Sequence, residues 1–360
     1  MLIVLIAILM LAIPFDARAA QMQGATLHVG GAELEVSFEQ GNFIVPRASM
    51  LTWISESGCA VTEYYGHFPV RHLRISIVQL DTGKGVLFGR TYVPGPVPVI
   101  RAMIGHVASE ADLRDDWVMT HEMVHLAFPA VGEKHHWIEE GIATYVEPIA
   151  RAQIGDLPAG KVWRDMIDGI PHGLPAAGDH GLDNTHTWGR TYWGGALFCL
   201  LADVEIHRRT NEKFGLQDAL RAISKAGNML EDWPLTRALK VGDDAIGVPV
   251  LIELYDNMKD APLDPNLPKL WRDLGVKVAG DSVQFDQRAP LAPIVTSIMK
   301  PRGGQPNCAL LENDSCKSFD VDRGQRRVQR VVHERPLPTS RSPTLKRVGV
   351  GGRRLEGPRL

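Results

Sequence analysis

Residues His121-Glu122-Met123-Val124-His125 limit the possible folds of this 360-residue chain more than any other stretch. On a helix, positions i and i+4 lie one above the other, so both imidazoles can reach a single metal ion. Glu122 is then placed to handle a proton on a metal-activated water. The pattern therefore demands a helix, a second element that brings a further ligand, and an open position for chemistry.

The flanking sequence supports such a helix. Ser109 with Asp112 three residues on reads as a capping box. Leu113, Trp117, Val118, Val124 and Phe128 follow at helical spacing, and Pro129 is expected to stop the helix. His121 and His125 continue that apolar stripe and are expected to point inward. Buried polar groups need partners, and one metal ion would satisfy both rings. A catalytic zinc site takes three protein ligands and leaves one position open. Downstream lies Trp137-Ile138-Glu139-Glu140-Gly141-Ile142-Ala143-Thr144-Tyr145, a helical stretch. Fourteen residues separate His125 from Glu140, enough for a loop and an antiparallel return. By residue type, Glu139, Glu140, His135 and His136 are all open as the third ligand. The metzincin spacing would need Gly at 128 and His at 131, where the chain has Phe128 and Val131.

The run Trp-x-x-Glu-Gly-x-Ala-x-Tyr over Trp137–Tyr145 resembles the glycyl aminopeptidase and membrane alanyl aminopeptidase families. These are gluzincins, zinc metallopeptidases with a thermolysin-like catalytic core. The resemblance implies that the Glu before Gly, Glu140, is the third zinc ligand beside His121 and His125. Thr191-Tyr192-Trp193-Gly194-Gly195-Ala196-Leu197 opens a long apolar helix running to about Arg209. On the residues alone, Tyr192 is either a core tyrosine or a donor in a site. The segment resembles the families' Tyr-x-x-Gly, which implies that Tyr192 stabilises an oxyanion. Gly194 and Gly195 would let two backbones approach closely. The resemblance covers roughly residues 110–210. It fails at one point: the alanyl aminopeptidases hold the substrate's free amine with a Glu on a strand before the zinc helix. The corresponding stretch here, Pro98–Gly105, has no acid.

Leu2 to Ile13 is an unbroken apolar run of twelve residues, too short to span a bilayer as a plain helix. Ala17-Arg18-Ala19 offers a small-x-small cleavage site, so residues 1–19 read as a signal peptide and the product as exported, periplasmic or secreted. No Lys or Arg precedes the apolar run, and the alternative is an uncleaved N-terminal anchor. Cys308 and Cys316 could bridge in an oxidising compartment, while Cys59 and Cys199 read as buried. No Cys pair has zinc spacing.

Residues 20–108 alternate like strands around one helix, Arg47 to Tyr65; residues 109–300 are mainly helical. Strands first and helices later give an α+β domain. The strand ending near Gly105 is expected to form an edge that binds an extended peptide. Residues 171–188, rich in Gly, Pro and His, form a loop that either walls the site, with His186 lining it, or lies on the surface. From Arg323 to Leu360 there are 11 Lys and Arg against 2 Asp and Glu, net +9, whereas the preceding 322 residues carry net −12. Residues 301–360 therefore read as a basic, disordered tail. From Arg323 on it has no Phe, Trp or Tyr to stack on bases, which argues against nucleic-acid binding.

The reading is an exported peptide hydrolase with one zinc ion, bound by His121, His125 and Glu140, with Glu122 and Tyr192 as catalytic residues. Its partner is a peptide or protein substrate. The alternative is a non-catalytic, zinc-stabilised domain of the cell envelope that binds peptides or partners.

Overall fold

Apolar residues recur at every second position through the N-terminal strands except β4, and those strands bury that set. A computed structural model describes residues 24–39, 41–280 and 282–301. The expected signal peptide, the basic tail and the pairing of Cys308 with Cys316 lie outside these residues. The strands are β1 (Gly24–Val29), β2 (Ala32–Phe38), β3 (His72–Gln79), β4 (Val86–Tyr92) and β5 (Val99–Ile104). Their order in the sheet is β1-β2-β3-β5-β4. Leu34, Val36, Leu73, Ile75, Ile77, Ile100 and Ile104 are buried on one face; Glu33, Glu35, Arg74 and Arg101 occupy the other. Such alternation is the mark of a sheet with one packed face.

The turns follow from local chemistry. Gly30 and Gly31 join β1 to β2 with φ of 57° and 83°. Two left-handed residues in a two-residue hairpin turn are the geometry that glycine supplies. Helix α1 (Arg47–Tyr65), where the sequence led us to expect it, carries the chain from β2 to the parallel β3. It buries Met50, Trp53, Ile54, Val61 and Tyr64. β3 and β5 are also parallel, and β4 adds antiparallel to β5. The edge on that side is therefore β4, not the strand ending near Gly105. β5 is interior because β4, formed earlier in the chain, folds back outside it.

The helical half begins with α2 (Glu110–Arg114) and α3 (Val118–His125). The Ser109 box is present: Asp112 accepts from the Ser109 backbone N–H at 2.8 Å, and Ser109 Oγ accepts from Asp112 N at 3.3 Å. One helix from Ser109 to Phe128 was expected, but the chain breaks between Arg114 and Val118. Asp116 causes this. Its Oδ2 accepts from Met119 N at 3.0 Å and from Trp53 Nε1 at 3.1 Å, so a new helix starts there. Trp117, expected to face inward, is 52% exposed. The helix also stops before Pro129: after His125 the N–H groups of Leu126 and Ala127 bond three residues back, tightening the last turn.

There follow α4 (His136–Gln153), α5 (Ala159–Gly169), α6 (Gly195–Arg209), α7 (Leu216–Ala226), α8 (Leu235–Ile246) and α9 (Val250–Met258). The order closes with α10 (Leu267–Leu274), the hairpin β6 (Val276–Ala279) and β7 (Ser282–Phe285), and α11 (Ala292–Met299). Cys199 is buried and free; Cys59 is buried and disulfide-bonded. Among the described residues no helix is long and apolar enough to cross a membrane. The architecture is an N-terminal mixed sheet followed by a helical half.

Candidate metal centre

Helix α3 presents His121 and His125 on one face, and α4 packs against it to bring in Glu140. His121 Nε2 lies 3.2 Å and His125 Nε2 3.6 Å from Glu140 Oε2. One ligand atom from each of the three residues falls within 4.8 Å of the others, so one ion could bind all three. The two imidazole rings are 4.9 Å apart and nearly perpendicular.

The electrostatics suit a cation. Burial, together with the neighbouring His121, pushes His125 down to about 3, so the ring stays neutral and keeps its lone pair. Burial works against the charge on Glu140. Hydrogen bonds to His121 and His136 and the nearby His125 outweigh it and hold the carboxyl well below its usual range. Glu122 is buried, and that burial raises its carboxyl despite a bond to Thr91. Thr91 Oγ1 stands 2.6 Å from Glu122 Oε2 and 2.8 Å from the Glu122 carbonyl oxygen. Strand β4 thus grips the side chain of Glu122 from the edge of the sheet. A Cβ on Gly89, two residues earlier, would sit 2.5 Å from Val118 and 2.6 Å from Glu122 Cγ.

The rival ligands are engaged elsewhere. Glu139 turns away: its Oε1 accepts from Val131 N at 3.4 Å and its Oε2 lies 3.2 Å from His136 Nδ1. His135 Nδ1 is 2.8 Å from Asp183 Oδ1, which also accepts from Trp137 Nε1 at 2.8 Å, while Asp183 Oδ2 accepts from Tyr255 at 2.8 Å. His136 is half exposed and reaches Glu140 Oε1 at 3.2 Å through Nε2. Its hydrogen bonds to Glu139 and Glu140 push it up to about 10.

Tyr192 is no core residue. It sits in a π-helical turn, Arg190–Gly194, that precedes α6. Its ring is 6.4 Å from that of His121, at 20°. Burial, then the charges of Glu140 and Glu122, pushes the phenol up to about 12, so it stays a donor at neutral pH. The backbones beneath approach closely at Gly195, where a Cβ would lie 2.1 Å from the Trp137 carbonyl oxygen. A Cβ on Gly141 would lie 2.3 Å from Gly195 Cα. This contact, foreseen for Gly195, seats α6 on the first turns of α4.

The 171–188 loop is part buried and part exposed. Asp183 is buried and fastened to α4 and α9, while His186 is exposed. Trp188, at its end, stacks on Tyr192 at 6.1 Å and 29°. Thr91 and Trp188 escaped the sequence reading. Thr91 is 31 residues from Glu122, and no local pattern marks it.

No family model matches the chain, and no curated protein matches it. Among solved structures, it is similar to an aminopeptidase N family protein from Idiomarina loihiensis, with 13% identity and a TM-score of 0.51. The match covers 71% of this chain and 49% of that one. An M1 zinc metallopeptidase from Deinococcus radiodurans matches with 13% identity and a TM-score of 0.45, over 68% of this chain and 52% of that one. The chain spans about half the length of these structures. At such identity the likeness is one of fold: the described residues resemble half of an aminopeptidase N family structure.

Proposed function

We propose that the chain is a zinc-dependent peptide hydrolase of the gluzincin type, with His121, His125 and Glu140 as ligands. The observation that carries the reading is the donor set itself. Two imidazoles and one carboxylate converge within reach of a single ion, which is the protein ligand set of a catalytic zinc. Glu122, next to a ligand and oriented by Thr91, has no use in a purely structural site. That argues against the alternative of a zinc-stabilised binding domain. The fold likeness to an aminopeptidase N family structure adds support.

When bound, zinc would polarise the substrate carbonyl and make water acidic enough to react near neutral pH. The protein's own groups do the rest. Glu122 takes the proton from the attacking water and returns it to the leaving amine. Its burial raises its basicity for the first step. Tyr192 donates its phenol proton in a hydrogen bond to the oxyanion as charge develops there. The peptide adds as a strand to β4, which stands at the edge of the sheet among the described residues. β4 carries no Asp or Glu, so nothing on that strand calls for a free substrate amine. Residues 1–19 are read as an export signal for this hydrolase.

The test is to map the products from matched free and N-blocked peptides by mass spectrometry, using the zinc-loaded full chain with and without a chelator. Cleavage of blocked peptides that the chelator abolishes is the expected result. No cleavage of either set rejects the reading, and cleavage of free peptides alone would make it an aminopeptidase.

A further inference from the structure

Tryptophan is rarely left in water, because a large apolar ring gains by burial. Two of them stand exposed beside the candidate site, Trp117 at His121 and Trp188 at Tyr192. Trp117 is 52% exposed and Trp188 is 63% exposed. Each touches one ring of the candidate site. Trp117 meets the His121 ring edge-on at 5.2 Å. Trp188 stacks on Tyr192 at 6.1 Å, and His172 braces it edge-on, also at 6.1 Å. Tyr192 in turn lies 6.4 Å from His121. Ring to ring, Trp117, His121, Tyr192, Trp188 and His172 form one row that runs through the candidate centre. Both tryptophans lie four residues before the site residue they touch, so helical or near-helical turns set their place.

We infer that Trp117 and Trp188 determine specificity, forming a subsite for an aromatic side chain of the peptide next to the cleaved bond. This rests on the peptidase reading above. The ring spacings along the row are those at which aromatic groups attract each other, so a substrate ring would extend the row. The row passes through His121 and Tyr192, which ties recognition to the place where the carbonyl must sit. An Ala side chain would leave the exposed faces wet. A Lys side chain is the competing occupant, since the face of a Trp also attracts cations.

The experiment uses N-blocked peptides that differ only in having Phe, Ala or Lys beside the cleaved bond, with one series for each side of it. Wild type should favour Phe over Ala in kcat/KM by about ten-fold on at least one side. Trp117→Ala and Trp188→Ala should each lower that ratio, and the double variant should bring it near unity. Both side chains are exposed, and circular dichroism with zinc content verifies that the variants fold. Binding of the same peptides to zinc-loaded Glu122→Gln reads the preference without turnover and should show the same order. No Phe preference in rate or binding overturns the inference, as does a preference that survives in the double variant or a Lys peptide that outperforms Phe. If wild type cleaves nothing, the peptidase reading fails. A Phe preference in binding would then still uphold the aromatic subsite.

Discussion

Glu122 is held between opposed influences: burial favours its neutral form, whereas the Thr91 hydroxyl favours the carboxylate. A group balanced in this way can accept a proton and give it back. Glu122→Gln keeps the shape and removes the base, so zinc content should hold while kcat falls about 10²–10⁴-fold. Near-normal turnover at full zinc occupancy would exclude Glu122 as the proton carrier. Tyr192→Phe removes one donor to the oxyanion. It should lower kcat by about 10²–10³-fold with little change in KM. A rise in KM alone would make Tyr192 a binding residue. Glu147 makes a different kind of prediction. Its carboxyl is buried against Arg151, and burial outweighs that ion pair, pushing it from 4.5 up to about 7. Between those values the folded chain keeps a proton that the unfolded chain has released. Its contribution to stability is therefore greatest below 4.5, falls as pH rises, and is lost above about 7. Glu147→Gln removes this effect, so the slope of Tm against pH between about 5 and 7 should be more positive in the variant than in wild type. Identical slopes would show that Glu147 does not titrate there.

At the scale of elements, the site depends on how closely α4 and α6 approach. Gly141 and Gly195 supply that closeness, which gives the Glu-Gly pair in the α4 run a mechanical meaning. Glu140 stands in the candidate ligand cluster, and its neighbour lets the Tyr192 turn come near. Gly141→Ala would force a Cβ to 2.3 Å from Gly195 Cα. The helices must move apart, at a cost of about 1–3 kcal/mol in urea denaturation, and Tyr192 moves with them. A variant that matches wild type in both stability and kcat would show that the contact is slack. These elements differ in how far their sequence revealed them. The α1 boundaries, the strands and the Tyr192 helix could be read because their signals are local: alternation, caps and glycines. The break at Asp115–Trp117 could not, because the carboxylate of Asp116, which caps α3 through Met119 N, is also held by Trp53, 63 residues away. Nor could the sheet edge. β4 precedes β5 in the chain yet lies outside it, and strand order is set by long-range pairing. Of the site, both histidines and Glu122 are legible from spacing alone. Glu140 needed the family pattern to separate it from Glu139, and the packing of α3 against α4 now gives the reason. Thr91 and Trp188 carried no local signal.

In the whole molecule, α3 and α4 meet at the candidate metal ligands under a sheet whose packed face also rests on α1. A zinc ion bound there would join two helices that are otherwise linked by a ten-residue connection, Leu126 to His135. Without the ion, Glu140 has His121, His125, His136 and Tyr192 as polar partners, and Glu140, His121 and His125 are largely withdrawn from water. A ligand that binds only the folded state stabilises it by roughly 4 kcal/mol at a thousand times its Kd. For a domain of this size each kcal/mol moves Tm by about 2–4 °C, so chelation should lower Tm by roughly 10 °C. The loss should also be local. Amides of α3 and the first turns of α4 should exchange faster on zinc removal, while β2 and β3, buried by their own alternating core, should change least. His121→Ala should reproduce this pattern without a chelator, since two remaining ligands hold zinc poorly. Uniform loss of protection over sheet and helices would mean that the ion supports the fold as a whole. An unchanged Tm would mean that the three residues hold no zinc at all, and the hydrolase reading would fall with them.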